Sequence, residues 1–399
     1  MSEWESHVLR DVVERVAVKN SAGHERVMTV SAERGLVDQE SFFTKRVASR
    51  DVTGYWVIAP GDFVYNKSTS KTAPWGVVAR YQGDQPAVVT SLYIAFRPKV
   101  DTIDPDFLLL ACNGFDFFES LAGRLREGAR SHGLLNVRLD EFFSARVVVP
   151  PLAQQRRIVH VASAVDAQIA SVSDEVDRLR RVFALRKAAV FTAFESEGVR
   201  IRLGDVLEEI KRPITVKPTA SYRQIGIRSH GRGVFTKDEV TGEELRSKKV
   251  FWVQPGDLVI NIVFAWEGAV AVVPRGLDGY CGSHRFPTYR RLDGGDVDFF
   301  RFFFSTPDGL RLLGDCSPGG AGRNRTLNRR RLMDAPISIP SASSQEATVG
   351  EFRSLERTLS DLERELASLR RFRSALLASL LNQDVEIPEP YDALLEAAS

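Results

Sequence analysis

Cysteine is scarce in this 399-residue chain. Cys112, Cys281 and Cys316 are all there is, far apart and without a CxxC pair. That excludes a disulfide scaffold and the common zinc-finger spacings, and it predicts a reducing compartment, the cytoplasm. Histidine is equally thin: His7, His24, His132, His160, His230 and His284 show no ligand spacing, so no metal site is expected. No apolar run approaches the ~18–20 residues of a membrane span. The first residues, MSEWESHVLRDVVERV, carry acids and lack the apolar stretch of a secretory signal. Charge of one sign is also missing. Lys plus Arg is 54 against 52 Asp plus Glu, a net of +2. A polycation that coats nucleic acid is excluded, and only local basic patches remain.

The motifs of common chemistries are absent too. There is no GxxxxGK[ST], no GxGxxG between a strand and a helix, and no GxSxG elbow. No Asn-Pro-Pro-Tyr stands ready to hold a base for amino-methylation. Cys112 sits in an apolar run and reads as core, while Cys281 and Cys316 have no evident base partner.

What the chain does have is itself, twice. Hydrophobic residues make up 43%, enough for packed cores, and the length suits two or three domains. Val8-Leu9-Arg10-Asp11-Val12-Val13-Glu14 is answered by Arg202-Leu203-Gly204-Asp205-Val206-Leu207-Glu208. Trp56-Val57-Ile58-Ala59-Pro60-Gly61-Asp62-Phe63-Val64-Tyr65-Asn66 is answered by Trp252-Val253-Gln254-Pro255-Gly256-Asp257-Leu258-Val259-Ile260-Asn261. Gly128-Ala129-Arg130 with Leu135-Asn136 matches Gly320-Ala321-Gly322 with Leu327-Asn328. Val147-Val148-Val149-Pro150 and Gln155 match Ile337-Ser338-Ile339-Pro340 and Gln345. Four matches in one order at a nearly constant offset define an internal repeat.

Each copy begins with a mixed globular part. Short β-branched and aromatic runs, Tyr55–Ile58 with Asp62–Tyr65 and Val250–Val253 with Leu258–Val263, are separated by Pro-Gly and expected to pair across it. The following Asp62 and Asp257 read as turn residues, not catalytic acids. Each copy ends in a long helix. The first is expected from about Leu152 to Glu197, opened by Pro150-Pro151 and closed by Gly198. Ile158, Val165, Val172 and Leu179 recur every seven residues, beside a row of Ile169, Val176, Phe183 and Val190. The second is expected from about Ser344 to Leu381, with a capping box of Ser343 and Glu346. Its seam is Leu355, Leu362, Leu369 and Leu376, interleaved with Phe352, Leu359 and Leu366.

Two such stripes in one chain should bury each other. The expected fold is α+β: two similar α/β heads joined by two long helices that pair as an antiparallel coiled coil, with approximate two-fold symmetry. The expected boundaries are a first head over 1–150, a central helix over 151–197, a second head over 198–340, a C-terminal helix over 341–384 and a tail over 385–399. Homodimerisation through the same heptads is the alternative use of the seam.

Basic and small residues gather in turn-prone segments at matching places. Lys67, Ser68 and Lys71 lie in one polar loop of the first copy, and Arg130 and His132 in another. The second copy offers Arg228, His230 and Arg232 in a glycine-rich loop, and Arg323, Asn324 and Arg325 in a segment with five arginines and no acid. Glycine lets backbone approach a phosphate, arginine forks onto phosphate or guanine, and asparagine can pair with adenine. These residues are the candidate contacts to double-stranded DNA.

Taken together, the chain resembles the specificity subunit of type I restriction-modification systems over nearly its whole length. The residues that carry the resemblance are Pro150-Pro151-Leu152-Ala153-Gln154-Gln155-Arg156-Arg157-Ile158-Val159 at the helix entrance, the Pro-Gly-Asp turn in each head, and the order head, helix, head, helix. The second entrance, Ile339-Pro340-Ser341-Ala342-Ser343-Ser344-Gln345-Glu346, lacks the second Pro, the Arg pair and the Ile. The resemblance implies two target recognition domains, each reading one half of an interrupted, asymmetric site. The helices would be the conserved spacers that set half-site separation and dock two modification subunits. Residues assigned to the spacers and docking are Arg156, Ile158, Val165, Val172, Leu179, Leu355, Leu362, Leu369 and Leu376. The chain would be non-catalytic and hold no cofactor. S-adenosylmethionine would sit on the adenine-methylating modification subunits, and ATP and Mg2+ on the restriction subunits. Two other readings stand beside this one: a coiled-coil scaffold whose heads bind protein, and a DNA enzyme with an unrecognised active site.

Overall fold

A computed structural model describes residues 4–31, 34–43, 48–68, 73–99, 103–122, 126–127, 135–245, 248–319 and 325–393. The chain forms two compact units. One is Met1–Ser171 with Leu366–Ser399, and the other is Val172–Glu365. The division falls inside both long helices, so each unit holds one head and a stretch of each helix.

The heads repeat one topology. In the first unit Glu5–Val8 lies antiparallel to Arg146–Val149, the strand that leads into the central helix. A turn of helix, Leu9–Val12, precedes an antiparallel sheet in the order Val13–Val16, Ile94–Pro98, Phe63–Asn66, Val77–Arg80. In the second unit Val199–Arg202 lies antiparallel to Pro336–Ile339, the turn is Leu203–Asp205, and the sheet runs Leu207–Ile210, Thr288–Arg291, Leu258–Ile260, Val270–Val272. The Leu9 amide donates to Ala145 O at 2.8 Å, and Leu203 does the same to Ala335 O at 3.0 Å. Two helices follow each sheet, Pro105–Cys112 and Phe115–Ala122 in one unit, Asp298–Phe304 and Pro307–Asp315 in the other. The heads differ at their edges. The first adds a hairpin, Met28–Ser31 with Gly35–Asp38. The second adds the strand Ser221–Ile227, antiparallel to Val234–Thr236 and parallel to Tyr280–Ser283.

The two Pro-Gly turns are type II in character. Gly61 and Gly256 have φ of 90° and 85°, and the amides of Asp62 and Asp257 donate to the carbonyls of Ala59 and Gln254, each at 3.0 Å. They are not the hairpins the sequence suggested. Trp56–Ile58 pairs with Ala87–Val89, whereas Phe63–Asn66 joins the four-stranded sheet, so the turn hands the chain from one sheet to another. The aspartates hold that corner. Both carboxylates are fully buried. Asp62 accepts from the Ala59 amide at 2.7 Å and from Arg97 at 2.6 and 3.0 Å. Asp257 accepts from the Gln254 amide at 2.8 Å, from Arg212 and from Arg290. A buried carboxylate with those partners is structural, since removing any of them leaves charge without compensation.

The long helices are Leu152–Glu197 and Ala342–Leu381. The capping box expected of Ser343 and Glu346 is not formed. The helix begins two residues earlier, and Ser341 Oγ accepts from the Ser344 amide at 3.3 Å. The start is pinned from inside: Gln345 Nε2 donates back to Pro340 O at 2.9 Å, as Gln155 Nε2 does to Pro150 O at 2.7 Å. Within each unit the helical stretches run antiparallel. In the second, Arg180 pairs with Glu363 and Arg186 with the earlier Glu351, while Phe183 meets Phe352 at 5.7 Å between ring centroids. In the first, Asp166 pairs with Arg373, and Arg157 grips Asp392 through two bonds of 2.7 Å. That grip draws the tail back. Tyr391 Oη lies 2.8 Å from His160 Nδ1, and Arg157 holds the Asp392 carboxyl below its usual range.

Each seam continues into a head. Ile158 and Leu380 belong to the core that contains Phe63, Phe96, Phe107 and Phe142. Phe183, Phe191, Val349 and Phe352 belong to the core that contains Phe299, Phe300, Phe302 and Phe304. Phe352→Ala should therefore cost about 4 kcal/mol, whereas Glu363→Ala, which loses one half-exposed ion pair, should cost about 0.5 kcal/mol or less. Urea unfolding of both variants checks the difference.

Candidate nucleic-acid interface

In the second unit the loop of residues 228–233 connects Ser221–Ile227 to Val234–Thr236. Its composition suits a tight, fixed reversal. His230, Gly231 and Gly233 have φ of 61°, 64° and 77°, and the Arg228 amide donates to Gly233 O at 3.0 Å. Left-handed backbone is easy for glycine and tolerable for histidine. The loop is fastened to a neighbouring turn. The amides of His230 and Gly231 donate to the carbonyls of Glu267 and Gly268 at 2.8 and 2.9 Å, and Ser229 Oγ donates to the Glu267 carboxylate at 2.7 Å. Arg228, His230 and Arg232 are left exposed on a held backbone.

That turn, residues 261–268, gathers more basic residues. The Arg325 guanidinium lies 5.3 Å from the Trp266 ring, and the Leu327 amide donates to Ile262 O at 2.8 Å. The Ile262 amide donates to the carbonyl of exposed Arg285 at 3.0 Å. Arg228 itself rests 4.8 Å from the Phe235 ring. Arg228, His230, Arg232, Arg285 and Arg325 thus surround one turn, and its Glu267 carboxylate is engaged by Ser229. Stacking on aromatics limits where a guanidinium can point, so less order is lost when it meets an anion.

The first unit places Lys67 and Ser68 just past the strand Phe63–Asn66. Lys67 lines a cleft of about 190 Å³ with Arg15, Trp56, Leu92 and Tyr93. Trp56 is flanked by cations: Lys19 Nζ is 3.7 Å and the Arg15 guanidinium 5.8 Å from its ring centre. The Leu135 amide fastens the Lys67 carbonyl at 3.0 Å. Both units thus carry cations against aromatic rings beside the hairpin formed by the two strands furthest from the opening strand of the sheet.

Six sequence candidates, Lys67, Ser68, Arg228, His230, Arg232 and Arg325, fall on these two surfaces. Lys71, Arg130, His132, Arg323 and Asn324 lie outside the described residues. Arg15, Lys19, Trp56, Arg285 and Trp266 were missed. A signal existed for Trp56, since five tryptophans in 399 residues is few and Trp56, like Trp252 in the second copy, precedes a Pro-Gly turn; Trp266 has no such place. Arg15 and Lys19 gave none, being single cations in a strand and the chain after it. The heptad residues Ile158 and Val172 are buried, and Val165, Leu179, Leu355, Leu362, Leu369 and Leu376 are half-buried. They lie along the packed seam. Arg156 is exposed, as are the apolar Val182, Leu185 and Phe372.

Burial pushes the Cys281 thiol up to about 11, and it raises Cys112 and Cys316 as well. Among the described residues no group of three or more His, Cys, Asp or Glu could hold a metal ion, and no helix is long and apolar enough to cross a membrane. What the surfaces can do is bind: they offer positive charge, fork-shaped donors and aromatic faces to a polyanion.

No family model and no curated protein matches the chain. Solved structures do. The S subunit of a type I restriction-modification system from M. genitalium matches over 95% of this chain and 96% of its own, at 12% identity and a TM-score of 0.52. A chain of a type I R-M system solved for its assembly and conformational transition matches over 95% and 97%, at 16% and 0.52. The HsdS subunit from Thermoanaerobacter tengcongensis matches over 96% and 97%, at 17% and 0.46. The chain has the fold of the first two of these proteins.

If the second surface takes nucleic acid, Arg228→Ala with Arg325→Ala should weaken duplex binding, and the slope of log affinity against log salt should flatten by about two. Fluorescence anisotropy between low and moderate salt measures both.

Proposed function

We propose that this chain is the DNA sequence-specificity subunit of a type I restriction-modification complex, and that it has no catalytic centre of its own. Each head reads one half of a bipartite, interrupted site. The long helices set the separation of the halves and dock two modification subunits. Those subunits supply S-adenosylmethionine and methylate adenine, and restriction subunits supply ATP- and Mg2+-dependent translocation and cleavage. The complex acts in the cytoplasm.

One observation carries this reading: the same sheet order occurs twice, and each copy presents a different cation–aromatic surface. A repeated frame with unlike surfaces suits a site whose halves differ. The shared fold at a TM-score of 0.52 supports it. The outward apolar side chains Val182, Leu185 and Phe372 are what a docked modification subunit would cover, because the seam leucines are already turned inward.

The spacer role has a geometric test. One heptad is about 10 Å of helix. Removing a facing heptad from both long helices should bring the half-sites closer by about three base pairs, at 3.4 Å each. Methylation mapping by the assembled complex reads that spacing, and an unchanged target would show that the helices are not the ruler. Duplex binding that stays unmeasurable at low salt with modification subunits present would favour a protein-binding scaffold instead.

A further inference from the structure

We infer that the first unit carries a docking seat for a protein segment that brings large aromatic side chains of its own, and that the second unit holds the same seat already filled. The inference rests on the function proposed above and adds that the two copies are unequal toward the modification subunits.

The units correspond side chain by side chain. The latches Gln155 and Gln345 set the register of the long helices. Asp104 and Asp296 set that of the helix after each sheet, each accepting the amide two residues on, from Asp106 and Asp298, at 2.9 Å. Counted from these marks, Phe183, Phe191, Phe302, Phe303 and Phe352 of the second unit stand where the first has Arg373, Leu381, Leu110, Ala111 and Ala162.

The phenylalanines pack on one another. The Phe352 ring centre lies 5.7 Å from Phe183, 5.1 Å from Phe302 and 6.3 Å from Phe191, and Phe191 lies 5.5 Å from Phe303. Arg301 rests 4.0 Å from the Phe302 ring and is held by Glu356 at 2.7 and 2.8 Å, while Arg353 donates to Asp298. The first unit has Leu109 in place of Arg301 and Ser163 in place of Arg353. Every one of these first-unit counterparts lines a groove of about 940 Å³. The groove is the space that the rings and the two arginines occupy in the other copy.

A shape left by aromatic rings is matched best by aromatic rings, because protein surfaces in contact pack as densely as interiors. Trp75, 38% exposed, already lies open at its edge. Four arginines and three aspartates line the groove. Arg80 pairs with Asp106 and Arg373 with Asp166. Among the described residues Arg34 and Arg146 have no carboxylate partner, and Asp116 is a lone acid beside them. A carboxylate near the incoming rings thus meets a surplus of positive charge. The groove also runs along both long helices, on Val159 to Asp166 and Arg373 to Asn382. A modification subunit seated on those helices has the groove within reach in the first unit, and meets a closed surface in the second.

The test titrates modification subunits into the full-length chain and follows the two binding steps by native mass spectrometry. Ala111→Phe with Ala162→Phe restores two of the rings. Ser163→Arg, at an exposed position, closes the groove from its rim and keeps the test valid if the double variant misfolds, which circular dichroism reports. Each variant should weaken one binding step about tenfold and leave the other unchanged. If both steps match the wild type, or both weaken equally, the groove is not a seat of this kind, although the proposed function stands. Self-association of the free chain that the variants abolish would give the groove to a second copy and overturn the assignment. A wild type that binds no modification subunit would remove the function and the inference together.

Discussion

The structure depends on burying the apolar rows of the long helices, and each row is buried twice over. Phe352 is packed against Phe183 of the facing helix and against Phe302 of the head. Ile158 and Leu380 share the core that contains Phe142. A helix as long as either of these leaves a wet stripe that no amount of intrinsic propensity offsets. Here the stripe is the floor of a head as well as the face of a pair. This is why the compact units divide through the helices and not at their ends.

Around that seam, several buried polar side chains are tied to specific partners. Asp62 and Asp257 are clamped by arginines from neighbouring strands, and Gln155 and Gln345 latch the first turns of the helices. Each device occurs at the same place in both copies, so the duplication extends to single hydrogen bonds. The heads differ in the strands added at their edges.

The helices, both bounds of the first and the end of the second, and the repeat were legible in the sequence because heptads, Pro-Pro and Gly are local signals. The turns at Pro60-Gly61 and Pro255-Gly256 were legible as turns. Their partners were not, because Trp56–Ile58 and Phe63–Asn66 look alike as runs and only long-range pairing assigns them to different sheets. The helix cap at Ser341 was missed because three serines within four residues, Ser341, Ser343 and Ser344, offer equivalent caps, and the latch from Gln345 decides among them. For the candidate site, the glycine-rich segment holding Arg228, His230 and Arg232 was visible as composition. Its meeting with Arg325 and Trp266 was not, since those residues are brought together only by the fold. Periodicity reveals an apolar face but not what covers it, so the leucine rows were legible while the exposed Val182, Leu185 and Phe372 were not.

The split of the chain into a continuous unit and a discontinuous one has a consequence for biogenesis. Val172–Glu365 emerges from the ribosome as one stretch and holds all of its own core. The other unit begins first yet cannot close until Leu366 and the residues after it arrive, because Leu380 and Ile387 complete its interior. Synthesis therefore starts one lobe and finishes the other before returning to the first. Until that return, the earlier lobe lacks the side chains that complete its interior, and its apolar floor stays open to solvent.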